Sequence, residues 1–317
     1  VKIIETGKKI IRFEAETIAN LEQFIDDNFE LVVKKILSLK GRVIITGIGK
    51  SANIAKKIVA TLNSTGTPSV FMHAGEAIHG DLGIVQNGDL VICISKSGNT
   101  PEIISLVPII KDMGNFLVGM VGDKNSFLAK NADTILLTTV DKEACPNNLA
   151  PTSSTTAQLV MGDALASCLI ELRGFTEDDF ARFHPGGSLG KKLYYKVETL
   201  MNIKPPFVKE NTSIKDTLIE ISSKRMGATA VLNDAEKVVG IITDGDIRRM
   251  IERYENFLDL KAKDIMSKAP KTIDKNLLAS GALKIMEENS ITQLIVIDNG
   301  KYVGMIHLHD ILKEGIS

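Results

Sequence analysis

The chain has 317 residues, a formal net charge of −1, 44% hydrophobic and 24% charged residues; that is enough for about two domains with ordinary cores and argues against nucleic acid or a membrane surface as partner. No apolar run approaches the ~20 residues of a membrane span, and no apolar signal core opens the sequence, so a cytoplasmic location is expected. Cys93, Cys145 and Cys168 form no C-x-x-C pair, which sets aside a zinc or redox motif.

Taken in chain order, residues 8–39 place Ile11, Ile18, Ile25, Val32 and Leu39 at heptad spacing, with Leu21 and Phe29 between them. The pattern predicts one long amphipathic helix packed on the rest of the chain, and its irregular flanking charges argue against a coiled coil. From 43 to about 140, apolar runs alternate with helical patterns. Strands are predicted at 43–46, 69–72, 90–95, 116–121 and 134–138. Helices are predicted at 51–64, 100–113 and near 126–131, and a longer one at 154–173 capped by Ser153 or Ser154. The runs are continuously apolar, as in strands covered on both faces. Their alternation with helices predicts an α/β fold with a doubly wound, mostly parallel sheet over residues 1–200.

Glycines cluster in HPGGSLG (184–190), and MNIKPP (201–206) reads as a linker, since its prolines cannot continue a helix. Residues 207–317 carry an internal repeat: VLNDAEKVVGIITDGDIRRMI (231–251) aligns with VIDNGKYVGMIHLHDILKEGI (296–316). Gly240 pairs with Gly304, Thr243 with His307 and Asp246 with Asp310. Each copy, about 207–260 and 266–317, reads as strand, turn, strand and a helix opening at its aspartate, and the two α+β copies are expected to pack on each other.

TGIGKS (46–51) matches the end of a nucleotide P-loop, but the first glycine of that motif falls at Ile44, inside a strand. No acidic strand end follows for magnesium, so ATP hydrolysis is not expected. A glycine turn from strand to helix still offers backbone N–H groups and a positive helix end to an anion. CISKSGNTPEI (93–103) makes a second such turn, in which Ser95, Ser97 and Thr100 supply hydroxyls and Pro101 suits a first helical turn. With Ser51 they predict a neutral, metal-free cradle for a dianionic monophosphate, at the strand ends where open α/β sheets bind ligands.

SKSGNT after an apolar strand resembles the phosphate loop of sugar isomerase (SIS) domains, and the paired repeats resemble a tandem CBS (Bateman) module. With GIGKS, STGTPSVFMHAGEAIHGDLG, KEACPNNLAPTSSTTAQLVMGDALA and HPGGSLG, the chain is similar over about 40–317 to the arabinose-5-phosphate isomerases of the KpsF/GutQ family. The resemblance implies interconversion of D-ribulose 5-phosphate and D-arabinose 5-phosphate with no cofactor, as a step toward Kdo, a sugar acid of lipopolysaccharide and some capsules. It places His184, Glu143, Glu102 and His79 in the site, with Glu143 the leading candidate for carbon-proton base, and implies a homotetramer whose interface the 8–39 helix helps to bury. The CBS pair implies a nucleotide or other small molecule, with Thr243, Asp246 and Asp310 as candidate contacts, or else a purely architectural support.

Aldose–ketose isomerisation through an enediolate needs a base, an acid, and cations or donors for the developing charge. The expectation is that Glu143 and His184 divide the acid–base work while Lys50, Glu102 and His79 position the sugar. Apart from the resemblance, each has a plainer explanation: His184 as a solvent-facing loop residue, Glu143 as a surface carboxylate, Glu102 as a charge on the helix dipole, Lys50 as a solvated cation. Cys145 is a neighbour, not a nucleophile, and His73 and His79 lack a clear acidic third ligand, so no metal is expected. Two other readings stay open: a non-catalytic sugar-phosphate-binding regulator, and an isomerase for another phosphosugar such as a hexulose 6-phosphate.

Overall fold

The apolar runs of the first half form a parallel sheet: β1 (Val43–Gly47), β2 (Ser69–His73), β3 (Leu90–Ser95), β4 (Phe116–Val121) and β5 (Thr134–Leu137), in the order β2-β1-β3-β4-β5. The computed structural model describes residues 2–316 and divides into two units, Val1–Phe183 and His184–Ser317. In the first unit the strands are joined and flanked by α1 (Ile3–Ala19), α2 (Asp27–Leu37), α3 (Gly49–Ser64), α4 (Ala74–Ala77), α5 (Pro101–Asp112), α6 (Phe127–Asn131), α7 (Ser153–Arg173) and α8 (Glu177–Phe183). Every residue of β1 and β3 is buried, because both faces of the sheet are covered. One face packs Val32 and Ile36 of α2, Ile58 and Leu62 of α3 and Leu165 of α7; the other packs Ile103, Leu106 and Ile110 of α5 and Leu128 of α6. Each such buried side chain stabilises the fold by about 1.5–3 kcal/mol.

The strand order fixes where a ligand can sit. The chain leaves β1 for β2 on one side and resumes in β3 on the other, so the connections after β1 and β3 diverge and open a crevice at the strands' C-terminal ends. Gly47 is in register with Ile94, which sets the two turns side by side.

The single helix expected over 8–39 is two helices with a 3₁₀ turn, Asn20–Phe24, between them. Asp26 takes an extended backbone, and its carboxylate accepts from the amides of Asn28 at 2.9 Å and Phe29 at 3.2 Å, so it starts a new helix. The heptad spacing therefore spans two axes, and Ile11 and Ile25 are exposed. α1 contains no fully buried residue.

The second unit opens with α9 (Ser188–Tyr194) and α10 (Val197–Leu200). The first repeat holds β6 (Phe207–Lys209), α11 (Ile214–Lys224), β7 (Ala228–Leu232), β8 (Val238–Thr243) and α12 (Asp244–Arg253), followed by α13 (Ala262–Ile265) and β9 (Ser267–Lys268). The second holds β10 (Thr272–Asp274), α14 (Ala279–Glu288), β11 (Gln293–Asp298), β12 (Lys301–His307) and α15 (Leu308–Lys313). The sheets are β6-β7-β8-β9 and β10-β11-β12. The likeness of the copies extends to a register shift at the same place in each hairpin, Val231/Leu232 and Val296/Ile297. Met226, Ala228, Ala230 and Leu232 share a core with Ile295 and Met305, so each copy buries its face on the other. The 201–206 stretch read as a linker is tied into this unit: Asn202 bridges Met305, and the Tyr302 hydroxyl donates to the Pro206 carbonyl at 3.0 Å. Among the described residues no helix is long and apolar enough to cross a membrane.

Candidate active site

Two strand-to-helix turns meet at the crevice. In the first, Gly49 takes a left-handed backbone (φ +58) that carries the chain from β1 into α3. In the second, Gly98 (φ +64) donates its amide to Ser95 Oγ at 3.1 Å, Ser95 Oγ lies 3.1 Å from Thr100 Oγ1, and the Asn99 amide donates to Ser97 Oγ at 3.2 Å. α2 and α6 are capped by Asp26 and Ser126, whereas α3 and α5 begin without any side-chain cap. Their first-turn amides are thus left without a side-chain acceptor at the end facing the crevice, which is how helices receive anions.

Between the turns lies a cavity of about 230 Å³, and Lys50, Ser51, Ser95, Ser97 and Thr100 all line it. The four residues whose hydroxyls are expected at one phosphoryl group thus share the wall of a single cavity. The cradle is not neutral, however: Lys96, between Ser95 and Ser97, lines it together with Lys50, and Ser154 and Thr155 close it from the start of α7.

Glu143 stands behind this wall with its side chain 1% exposed. Oε1 accepts from Lys96 Nζ at 2.6 Å and Ser154 Oγ at 2.5 Å. Oε2 accepts from the amides of Thr152 at 2.8 Å and Ser154 at 3.1 Å, and from Thr152 Oγ1 at 3.3 Å. Burial alone would raise the carboxyl's pKa; the bonds from Lys96, Ser154 and the two amides outweigh it and hold the group at about 2. The carboxylate also serves as the cap of α7. Thr152, Ser153 and Ser154 do not cap that helix with their own side chains, contrary to the local cap expected from Ser153 or Ser154, because Glu143 reaches the free amides first. The loop that delivers it is pinned by Asn148 Oδ1, which accepts the Glu143 amide at 2.7 Å. In the same loop the amides of Ala150, Leu149, Asn147 and Asn148 hold the Cys145 thiol below its ordinary range.

The remaining expected residues lie elsewhere. Glu102, half-buried in the first turn of α5, and His79, exposed after α4, do not line the cavity. His184 belongs to the second unit. Among the described residues no group of three or more His, Cys, Asp or Glu side chains is placed to hold a metal ion.

Residues 36–168 match the SIS domain model, and 197–253 and 262–317 match the CBS domain model. Arabinose 5-phosphate isomerase KdsD of Escherichia coli (strain K12) is 44% identical over 314 residues, covering 98% of this chain and 96% of its own. KdsD of Pseudomonas aeruginosa PAO1 is 45% identical over 316 residues, covering 99% and 97%. The chain belongs to the arabinose 5-phosphate isomerase family. Among solved structures, a protein of E. coli CFT073 in complex with arabinose 5-phosphate superposes with a TM-score of 0.55 at 42% identity, covering 58% of this chain and 97% of that one.

For a member of this isomerase family, two residues at the cavity escaped the sequence reading. Lys96 was visible as a cation inside a hydroxyl-rich turn, but its ion pair with Glu143 spans 47 positions and has no local signature. Ser154 read as a helix cap; it serves instead as a donor to Glu143. In the CBS pair, a cavity of about 480 Å³ is lined by Thr243, Asp246, Arg249 and Lys271 among others, and Asp310 does not reach it. Asp246 and Thr243 form a capping box, with the Asp246 carboxylate also accepting from Arg249 at 2.6 Å and Ser267 at 2.9 Å. His307 fills Thr243's place in the second copy: its Nδ1 accepts the His309 amide at 3.0 Å, and Asp310 accepts the His307 amide at 3.1 Å.

Proposed function

We propose that the chain is an arabinose 5-phosphate isomerase, interconverting D-ribulose 5-phosphate and D-arabinose 5-phosphate, a step toward Kdo for lipopolysaccharide or capsule. The observation that carries the reading is the cavity where two uncapped helix ends, four hydroxyls and two lysines converge beside a buried carboxylate. The phosphoryl group occupies the cradle, which leaves the sugar carbons to reach toward the acid–base groups. Glu143 takes the carbon proton and the flanking cations stabilise the enediolate oxygens. His184 shares the acid–base work, and Lys50, Glu102 and His79 position the sugar. That Glu102 and His79 lie off the cavity is in keeping with a site assembled from more than one copy. The protein is a cytoplasmic homotetramer in this reading, and α1, with Ile3, Ile4 and Ile11 exposed, helps to bury its interface. The CBS cavity, with its arginine and lysine, suits a nucleotide or another anionic small molecule.

The test is incubation with ribulose 5-phosphate and, separately, with two hexulose 6-phosphates, followed by NMR. Arabinose 5-phosphate is expected from the first alone. Conversion of a hexulose phosphate in its place identifies a different isomerase, and no conversion of any substrate identifies a binding protein.

A further inference from the structure

The two oxygens of Glu143 are held differently. Those groups that hold Oε2, the Thr152 amide and hydroxyl and the Ser154 amide, belong to the start of α7, and Thr152 does not line the phosphate cavity. Both groups that hold Oε1 belong to residues that do line it: Lys96, whose side chain is half exposed, and Ser154. An anion entering the cavity therefore competes for both side-chain donors of Oε1, whereas Oε2 keeps the Thr152 amide and hydroxyl, which lie off the cavity. A lysine ammonium offered a phosphoryl dianion and a carboxylate partitions toward the greater charge, and its flexible stem lets it move.

We propose that Lys96 is a positioning residue that keeps Glu143 engaged in the free enzyme and that the substrate's phosphoryl group draws it away, exposing Oε1 as the proton-accepting atom. The inference rests on the reading of Glu143 as the base and adds what arms it. The charged groups around Glu143 are Lys96 from the β3 turn, Lys50 across the same cavity and the neighbouring Lys142. On the other side, Lys9, Arg12 and Glu16 of α1 share a second cavity with it, and Glu14 of α1 bonds Ser153 at 3.0 Å. Of these only Lys96 is in direct contact with the carboxylate.

The experiment compares pH profiles of the full-length enzyme and its Lys96→Met and Lys96→Gln variants, with short exposures to acid by stopped flow. The acid limb of kcat/KM reports the free enzyme, once the substrate phosphoryl's own ionisation at about pH 6, the same in parent and variants, is divided out, and that of kcat reports the substrate complex. In the parent the kcat limb is expected above the kcat/KM limb. In both variants the kcat/KM limb moves up by about 1–3 pH units, the effect of an adjacent opposite charge, while the kcat limb stays. KM rises with the lost phosphate contact. Infrared difference spectra with inorganic sulfate give a second readout: a carboxylate band shifts in the parent and not in Lys96→Met or Glu143→Gln. Coincident limbs in the parent, or limbs that move together in the variants, overturn the inference. If Glu143→Gln turns over normally, the reading of Glu143 as base fails instead, and an inactive Glu143→Gln beside unshifted Lys96 variants separates the two failures.

Discussion

Gly98→Ala is the sharpest probe of the proposed phosphate cradle. Gly98 sits at φ +64 in the second turn, and a Cβ there would stand 2.2 Å from Ser126 Oγ and 2.5 Å from Ser126 Cβ. Ser126 is 1% exposed and its hydroxyl caps α6, so it cannot swing aside without uncapping that helix. A left-handed backbone costs a non-glycine residue about 1–2 kcal/mol, and overpacking of this kind adds about 1–3 kcal/mol. The first unit is then destabilised by about 2–5 kcal/mol, which for its size lowers the unfolding midpoint by about 5–15 °C. The loop also shifts as it accommodates the methyl group. Because Gly98 donates to Ser95 Oγ, the hydroxyls move with it, and KM for arabinose 5-phosphate rises about tenfold, roughly 1.4 kcal/mol of lost binding. Calorimetry and steady-state kinetics on the same preparations measure both. Adding Ser126→Gly removes the obstructing atoms and is expected to recover the overpacking share, leaving the backbone strain and a few tenths of a kcal/mol for the lost cap. A Gly98→Ala protein with the parent's midpoint and KM, or a double variant no more stable than the single, would mean that neither the left-handed turn nor the Ser126 contact constrains residue 98.

Three further outcomes follow from the geometry. Ser51→Ala and Ser97→Ala should each raise KM about 10–150-fold, one hydrogen bond to a charged group at about 1.5–3 kcal/mol, with kcat nearly unchanged; a loss confined to kcat would place these hydroxyls away from the phosphoryl group. Asp89→Asn should destabilise the first unit by about 2–4 kcal/mol, because Asp89 is buried and accepts from the Arg42 amide at 2.7 Å, its guanidinium at 2.8 Å and the Gln86 amide at 3.0 Å. Burial pushes that carboxyl up, but the Arg42 and Gln86 bonds outweigh it and hold it below the usual value of 3.8. Its contribution is thus present above pH 3.8 and lost as the pH falls further, and urea unfolding of the parent and variant should converge in acid. His307 accepts at Nδ1 as the cap of α15, and burial and His309 keep its pKa below 6.5 against the pull of Asp310. The unfolded chain binds that proton more readily, so the second unit should lose stability as pH falls below 6.5. His307→Thr, which restores a hydroxyl cap, should flatten that dependence, and an unchanged slope would show that the imidazole does not cap.

Much of this arrangement is legible in the sequence where the physics is local. Burial on both faces makes the strands apolar throughout, and their boundaries fall within a residue of where that apolarity ends. The hydroxyl-rich turns and the duplicated strand–helix units carry their chemistry within a few positions. What is not legible depends on partners distant in sequence. Asp26 fits inside a heptad pattern as well as at a helix start, and only the packing of α2 on α7 and the sheet decides for the cap. Glu143 looks like a surface carboxylate because its loop is polar, yet the loop folds inward to satisfy the amides of α7. The imidazole that replaces a hydroxyl at His307 reads as a broken motif, although it supplies the same acceptor.

The charges around the crevice set one further requirement on the substrate. Three helices, α3, α5 and α7, begin at the cavity, and Lys50 and Lys96 add to their positive ends. This field suits a dianion and the oxyanion of an enediolate, but the bonds from Lys96, Ser154 and the Thr152 and Ser154 amides outweigh burial and depress the proton affinity of Glu143, and in the proposed role so weak a base removes a carbon proton poorly. In the proposed mechanism the phosphoryl group resolves the conflict, since its charge recruits the donors on Oε1. A neutral sugar does not. Arabinose without its phosphate is therefore expected to be unreactive even at saturation, with kcat lower by about 100-fold or more, the behaviour of substrates stripped of remote binding groups. Deuterium wash-in at the sugar carbon, followed by NMR, measures it. Restoration by free phosphite or sulfate added alongside arabinose would show that the anion acts through the site and not through the covalent link. Exchange at the parent rate with arabinose alone would mean that Glu143 is already competent in the free enzyme.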